Sequence, residues 1–272
     1  MTTHDTTVPT VNELPTGRDR TRQVAVLVGT LIATAVAFLG SGAVVGTAVQ
    51  DLAGGALSSS GTLVAPASPA FAIWGVIYVG LLLLAVLQMA SSRATDPRQR
   101  RVGWWVLAST LLNAAWLVVT QLEWLTVSVA VIALLLVVLV VVLVRLKESG
   151  PTTTYERWVV DGTMGLYLGW VCIATVANVA AALVYSGVAA TGDVATLWAV
   201  AVLAVAAVVG VVLAIGLRGR ITPALALAWG LGWVAIGRTS GDPASAEVAV
   251  AAAGAALVTL LSAVVVRARR SD

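Results

Sequence analysis

Aromatic rings and amides recur at helical spacing in three apolar stretches of this chain. Phe71, Trp74 and Tyr78 stand at i, i+3 and i+7; Asn113 and Trp116 at i, i+3; Trp170, Ala174 and Asn178 at i, i+4 and i+8. Residues three and four apart share one face of a helix, so each set is a stripe. Such stripes offer ring faces on which a planar ligand can stack, and indole and amide groups that can hydrogen-bond its edge. The bland role for Asn113 and Asn178, the only Asn in any apolar stretch, is interhelical hydrogen bonding, because an unpaired amide in hydrocarbon is costly. Three stripes weighted to the same half of their helices put a shared cavity level with that reading. Trp229 and Trp233 form a fourth stripe at i, i+4. Trp104, Trp105, Trp124, Trp158 and Trp198 instead fall near the ends of apolar runs, where an indole belongs to the interfacial belt.

Other chemistry is excluded by residue type. The single histidine is His4, in a polar leader, and the single cysteine is Cys172, inside an apolar run. No His/Cys cluster is available for zinc, copper, an iron–sulfur centre or a doubly His-ligated haem. Asp161 falls near one end of its apolar run, and Glu123 and Asp193 fall between runs. No carboxylate is expected at a bilayer midplane, where an ion-coupled transporter or proton relay would need one. Paired carboxylates for hydrolysis, a Gly-x-Ser-x-Gly elbow, a Walker loop and a dinucleotide fingerprint are all missing.

The elements that must position the stripes follow from composition. Of 272 residues, 59% are apolar and 11% charged, with a mean hydropathy of +0.97. A soluble domain carries roughly 25% charge, so the chain is read as an all-α, polytopic transmembrane helix bundle. Eight runs are long enough to cross a bilayer: 24–49, 70–90, 103–120, 124–145, 158–185, 194–217, 221–238 and 246–266. Of the 16 basic residues, 15 are Arg, and 15 of the 16 fall in alternate loops. Arg238 stands alone on the other side. The positive-inside rule therefore predicts eight spans with both N- and C-terminus cytoplasmic, and no nucleic-acid partner despite the net charge of +3. The 26-residue first run is too long for a signal-peptide core and is read as an uncleaved span.

Residues 1–23 read as a disordered cytoplasmic tail, rich in Thr and Pro as far as residue 17. Residues 50–69, with Gly54, Gly55, Ser58, Ser59, Ser60, Gly61, Pro66 and Pro69, read equally as a lid over a cavity or as a floppy connector. Gly42-x-x-x-Gly46 and Gly165-x-x-x-Gly169 allow close helix approach. Packing within the chain is the default for such motifs; a homodimer is the other use.

The segments Phe71-Ala-Ile-Trp74-Gly-Val-Ile-Tyr78, Leu112-Asn113-Ala-Ala-Trp116 and Leu168-Gly-Trp170-Val-Cys-Ile-Ala174-Thr175-Val-Ala-Asn178 resemble the TspO/MBR family of tryptophan-rich sensory and translocator proteins. They stand in the family's order, and the resemblance covers residues 24 to about 185. It implies five helices around a pocket, capped by the first loop, that takes porphyrins, sterols and synthetic aromatic ligands. By resemblance Trp74, Asn113, Trp116 and Trp170 border that pocket, with Tyr78, Ala174 and Asn178 as further candidates. The chain departs from the family pattern in the Leu-Val-Val-Thr that follows Trp116 and in three further spans after Tyr185.

The sequence thus predicts a five-helix TspO-like bundle over 24–186 and an additional three-helix membrane module over 187–272. Its expected function is binding, in a Trp-lined pocket, of an apolar planar ligand such as a porphyrin or other tetrapyrrole. A haem-type ligand is the only cofactor in view, with none held covalently, and enzymatic activity is not expected. A small-molecule transporter is the alternative. A lipid hydrolase ranks below both, for want of paired intramembrane acids. The high Arg-to-Lys ratio with abundant Ala, Val and Gly points to a GC-rich bacterial genome and the plasma membrane. The three extra spans carry no polar site, so a chain ending at Ser186 is expected to keep the pocket.

Overall fold

A computed structural model describes residues 14–40 and 47–270. His4, Gly42 and Gly46 lie outside the described residues, as does most of the expected tail. Eight helices among the described residues are long and apolar enough to cross a bilayer, and no strand occurs there. They are α1 (Gly17–Gly40), α2 (Ile73–Leu87, which a preceding 3-10 turn from Ser68 extends to a 20-residue span), α4 (Pro97–Gln121), α5 (Leu125–Glu148), α6 (Thr163–Tyr185, whose span starts at Glu156 with a π-helical turn), α7 (Asp193–Gly216), α8 (Ile221–Ser240) and α9 (Ala246–Ala268). A single short turn, α3 (Ser91–Ala94), links α2 to α4.

Two helices start six or seven residues earlier than the sequence expectation, each for a polar reason. α1 begins at Gly17, not at residue 24, so Arg18, Arg20 and Arg22 lie within its first turns. Asp19 and Arg22 are buried there because Asp19 pairs with Arg22 at 3.3 Å and accepts two bonds from Arg100 of α4, both at 2.8 Å. Arg22 also donates to the Ala94 carbonyl at 2.8 Å. α4 begins at Pro97, six residues early, because the Asp96 carboxylate caps the amides of Arg98 (2.8 Å) and Gln99 (3.3 Å). Aspartate at the cap followed by proline in the first turn is a strong local start signal.

α1, α4, α5 and α6 pack in succession, and α2 leans on both α1 and α6, so five helices close a ring. α8 packs along the outside of α6, with α9 against α8 and α7 against α9. The α6–α8 contact depends on Gly165 and Gly169. A Cβ at Gly165 would collide with the Thr222 hydroxyl, and one at Gly169 with the Pro223 carbonyl oxygen. This small-residue motif therefore serves packing within the chain.

At one end of the bundle a buried ion cluster ties the two sets of helices together. The residues before α6 form a π-helical turn, Glu156–Gly162, whose i→i+5 bonding sets Glu156 and Asp161 on one side. Arg98 meets Asp161 at 2.7 Å and Glu156 at 3.3 Å, and Asp161 meets Arg220, just before α8, at 3.0 Å. Arg98 and Arg220 both donate to the Leu146 carbonyl at the end of α5. Burial pushes the Arg220 guanidinium below its ordinary pKa, and the Asp161 carboxylate pulls it back up.

Candidate functional site

The three stripes face one another inside the five-helix ring. Because aromatic and amide positions on α2, α4 and α6 repeat every three or four residues, each helix turns its stripe inward, while Val76, Val79, Leu83, Leu111, Val118, Val179 and Leu183 on other faces are exposed. Phe71, Trp74, Asn113, Trp116, Ile132, Leu135, Trp170, Val171 and Ala174 line a cavity at the centre. Five of the seven expected site residues, Trp74, Asn113, Trp116, Trp170 and Ala174, thus border it. Tyr78 and Asn178 stand behind, each bonded to a residue that does.

The polar groups are arranged in pairs. Asn113 donates from Nδ2 to the Tyr78 hydroxyl at 3.0 Å. The Trp116 indole donates to Asn178 Oδ1 at 3.1 Å, and Asn178 Nδ2 donates to Ser128 Oγ at 3.0 Å. The Ser128 hydroxyl lies 2.7 Å from the Leu125 carbonyl, to which it donates. Asn178 therefore joins α4, α5 and α6 and does the interhelical work that is the bland role of such amides, whereas Asn113 combines a hydrogen bond with a place on the cavity wall.

The rings form one cluster. Trp74 stacks on Tyr78 with centroids 5.2 Å apart and planes at 18°, and stands edge-on to Tyr167 (5.8 Å) and Trp170 (6.3 Å). Phe71 meets Trp170 edge-on at 5.5 Å. Trp170 is 1% exposed, and its indole N–H has no acceptor among the described residues. A buried donor without a partner costs of the order of 1–3 kcal/mol, so the ring is held there by packing alone. The cavity itself is small, about 20 Å³, room for a water molecule or two. The aromatic side chains fill most of the space that they enclose.

Ile132, Leu135, Val171 and Tyr167 join the site without having been singled out in the sequence, and Phe71 joins it from the first stripe although it was not among the expected pocket residues. Phe71 and Tyr167 carried a signal, since each lies three residues from Trp74 or Trp170. Ile132 and Leu135 carried none, because α5 is apolar on every face. Trp229 and Trp233 do not line the cavity; they pack edge-on to each other at 5.6 Å on α8. Trp124, Trp158 and Trp198 are exposed at span ends, as the interfacial belt requires.

Residues 50–69 fold back onto the bundle, and the segment leads directly into Phe71 on the cavity wall. Leu52, Ala53, Ala56, Leu63, Val64 and Ala65 are buried. Ala53 and Ala56 pack on Leu125 of α5 and Ala181 of α6, and Leu63 and Val64 join the core that includes Trp170. The Ala53 amide donates to the Glu123 carboxylate at 3.1 Å.

Among the described residues no group of three His, Cys, Asp or Glu side chains is placed to hold a metal. A family model described as TSPO-like protein matches residues 23–265, from within the first span to within the eighth. No curated protein and no solved structure matches the chain.

Proposed function

The chain belongs to the TSPO-like protein family and is a multi-pass helical membrane protein, and from that premise we propose that it binds an apolar planar ligand of the porphyrin or tetrapyrrole class between α2, α4, α5 and α6. The observation that carries this reading is Trp170. Its ring is buried among Phe71 and Trp74, it borders the cavity, and its N–H has no acceptor among the described residues. A ligand that stacks on the ring and brings a carbonyl, carboxylate or ring nitrogen to its edge supplies what the protein leaves out. Trp74 and Trp116 offer further ring faces, and Asn113 an amide.

Ligands of this size occupy pockets of roughly 300–1,000 Å³, so binding requires the aromatic cluster to part. The ring residues suit the apolar macrocycle and its polar edge. None of the residues that line the cavity is a histidine, so a haem iron would find no imidazole ligand among them. Binding is thus read as recognition of the macrocycle, with no reaction catalysed by the acid–base groups of the protein.

In this reading the end of the bundle that gathers Arg98, Arg100, Arg220 and Arg267 faces the cytoplasm, with both chain termini, and the cap over residues 50–69 faces outward. The membrane is a bacterial plasma membrane. The motif at Gly165 and Gly169 is consumed within the chain, so a homodimer would have to use another face.

Titration of the purified protein with protoporphyrin, followed by quenching of Trp fluorescence, tests the reading. Saturable quenching is expected. Trp170→Leu keeps apolar bulk but removes the ring face and the donor, a loss of about 1 kcal/mol of stacking, and is expected to weaken binding several-fold. Trp158→Leu, at the exposed interface, is expected to change nothing. The reverse pattern assigns the quenching to ligand at the bilayer surface and ends the pocket reading.

A further inference from the structure

We propose that Arg238 of α8 latches the cap of residues 52–70 over the aromatic cavity, so that access to the cavity is set by a helix outside the five-helix ring. The proposal rests on reading that cavity as the ligand pocket and adds to it what keeps it shut.

Arg238 is 2% exposed at the end of α8. Its guanidinium forms no ion pair within 4 Å among the described residues; its hydrogen bonds go to backbone carbonyls, and the Asp242 carboxylate adds a longer-range attraction. Nη1 donates to Thr62 at 3.2 Å and to Pro243 at 2.9 Å, and Nη2 donates to Ser59 at 2.6 Å. Its Nε has no partner there. A buried cation with only neutral acceptors stays where the loop presents its carbonyls, and each charge-assisted bond holds the loop in return. Arg238 is also the one basic side chain that the sequence places on its side of the bilayer, so its retention there calls for a local reason.

The grip continues down the same side of α8. The Gly237 backbone lies close to Ala67, where an added Cβ would come 3.5 Å from that residue's own Cβ. The Trp233 carbonyl accepts from the Ala67 amide at 3.1 Å. The Trp229 indole donates to the Ala70 carbonyl at 2.9 Å. Residues 229, 233 and 237 are spaced by four and form one stripe. The segment it holds runs directly into Phe71 and then Trp74, which wall the cavity and touch Trp170. On the opposite side the cap is fixed by apolar packing on Leu125 and Ala181 and by the Ala53 amide's hydrogen bond to the Glu123 carboxylate, none of which involves Arg238. Releasing the α8 side frees residues 59–70 to swing and to carry Phe71 off Trp170.

The latch is tested without any ligand by reading cavity access with a thiol probe. In an A174C, C172S background the new thiol borders the cavity, and its rate of modification by a water-soluble cationic methanethiosulfonate reports opening. R238Q, which removes the charge and the fork, is expected to raise that rate at least tenfold, and R238K, which keeps one point of attachment, less so. W229F cuts a separate anchor without changing charge and is expected to raise it several-fold. In parallel the same variants carry native Cys172, which is buried in α6 but does not line the cavity; its modification is expected to stay slow. An unchanged rate at position 174 in both R238Q and W229F overturns the latch, and so does a rise matched by an equal rise at Cys172, which would mean general loosening of the bundle. If the cavity opens in these variants but protoporphyrin never quenches, the latch stands and the ligand class falls.

Discussion

Asn113 and Asn178 are both buried amides in apolar helices, with 3% and 2% exposure, yet only Asn113 borders the cavity. Their replacement should therefore separate stability from binding. Asn178→Leu strands the Trp116 indole and removes the link to Ser128; buried polar contacts of this kind between membrane helices contribute about 0.6 kcal/mol on average and up to about 1.7. A fall of about 1 kcal/mol in stability toward a denaturing detergent is expected, with protoporphyrin affinity within about twofold of the parent. Asn113→Leu gives up one bond, to Tyr78, and puts an isobutyl group on the cavity wall, so affinity should change more than stability. Equal effects of the two on affinity would mean that the amides act as one network and that the cavity wall is not distinguished from its support. Both residues were legible in the sequence as amides in stripes. Their different duties were not, because Ser128 and Tyr78, which decide them, lie 50 and 35 residues away along the chain.

The helices themselves were legible because eight apolar runs, separated by loops that are alternately rich and poor in Arg, leave little choice of span. The ends were harder where polar residues decide them: α1 takes Asp19 and Arg22 into its buried face only because Arg100 meets Asp19 from α4, a pairing that local pattern does not show. The same holds for Asp161, which stands four residues from Arg157 in the chain but pairs with Arg98 and Arg220. The contact between α6 and α8 makes a sharp prediction about two glycines. A Cβ at Gly169 meets a backbone carbonyl that no rotamer change can move, whereas one at Gly232 of α8 meets nothing within 4 Å. Gly169→Ala should cost about 1–3 kcal/mol by overpacking. Gly232→Ala should stabilise by up to about 1 kcal/mol, because alanine gives up less backbone freedom in a helix interior. Thermal or detergent unfolding of the two variants decides it, and a tolerated Gly169→Ala would show that α8 can slide on α6.

At the scale of the whole molecule the question is whether the last three spans are an addition or a part of the site. Read as sequence, residues 187–272 hold no polar site, and the chain ending at Ser186 was expected to keep its pocket. The structure places Trp229, Trp233 and Arg238 on the cap, Gly165 and Gly169 of α6 under α8, and Arg220 in the ion cluster with Asp161. These contacts do not fall equally on folding and on closure. In lipid an exposed apolar face of α6 costs little, since acyl chains replace side chains, and Arg98 remains to neutralise Asp161. The ring of α1, α2, α4, α5 and α6 uses no contact from α7, α8 or α9 to close. The cap, in contrast, loses every anchor on its α8 side. A chain truncated after Ser186 is therefore expected to keep helical content per residue close to that of the full chain and to quench with protoporphyrin. Its bound protoporphyrin should leave at least tenfold faster, because nothing holds residues 59–70 over the cavity. Stopped-flow displacement of protoporphyrin from the two chains measures the difference. Equal dissociation rates would show that the cap closes by its contacts with α5 and α6 alone; a fragment that is helical but binds nothing would mean that α8 shapes the cavity and not only its cover.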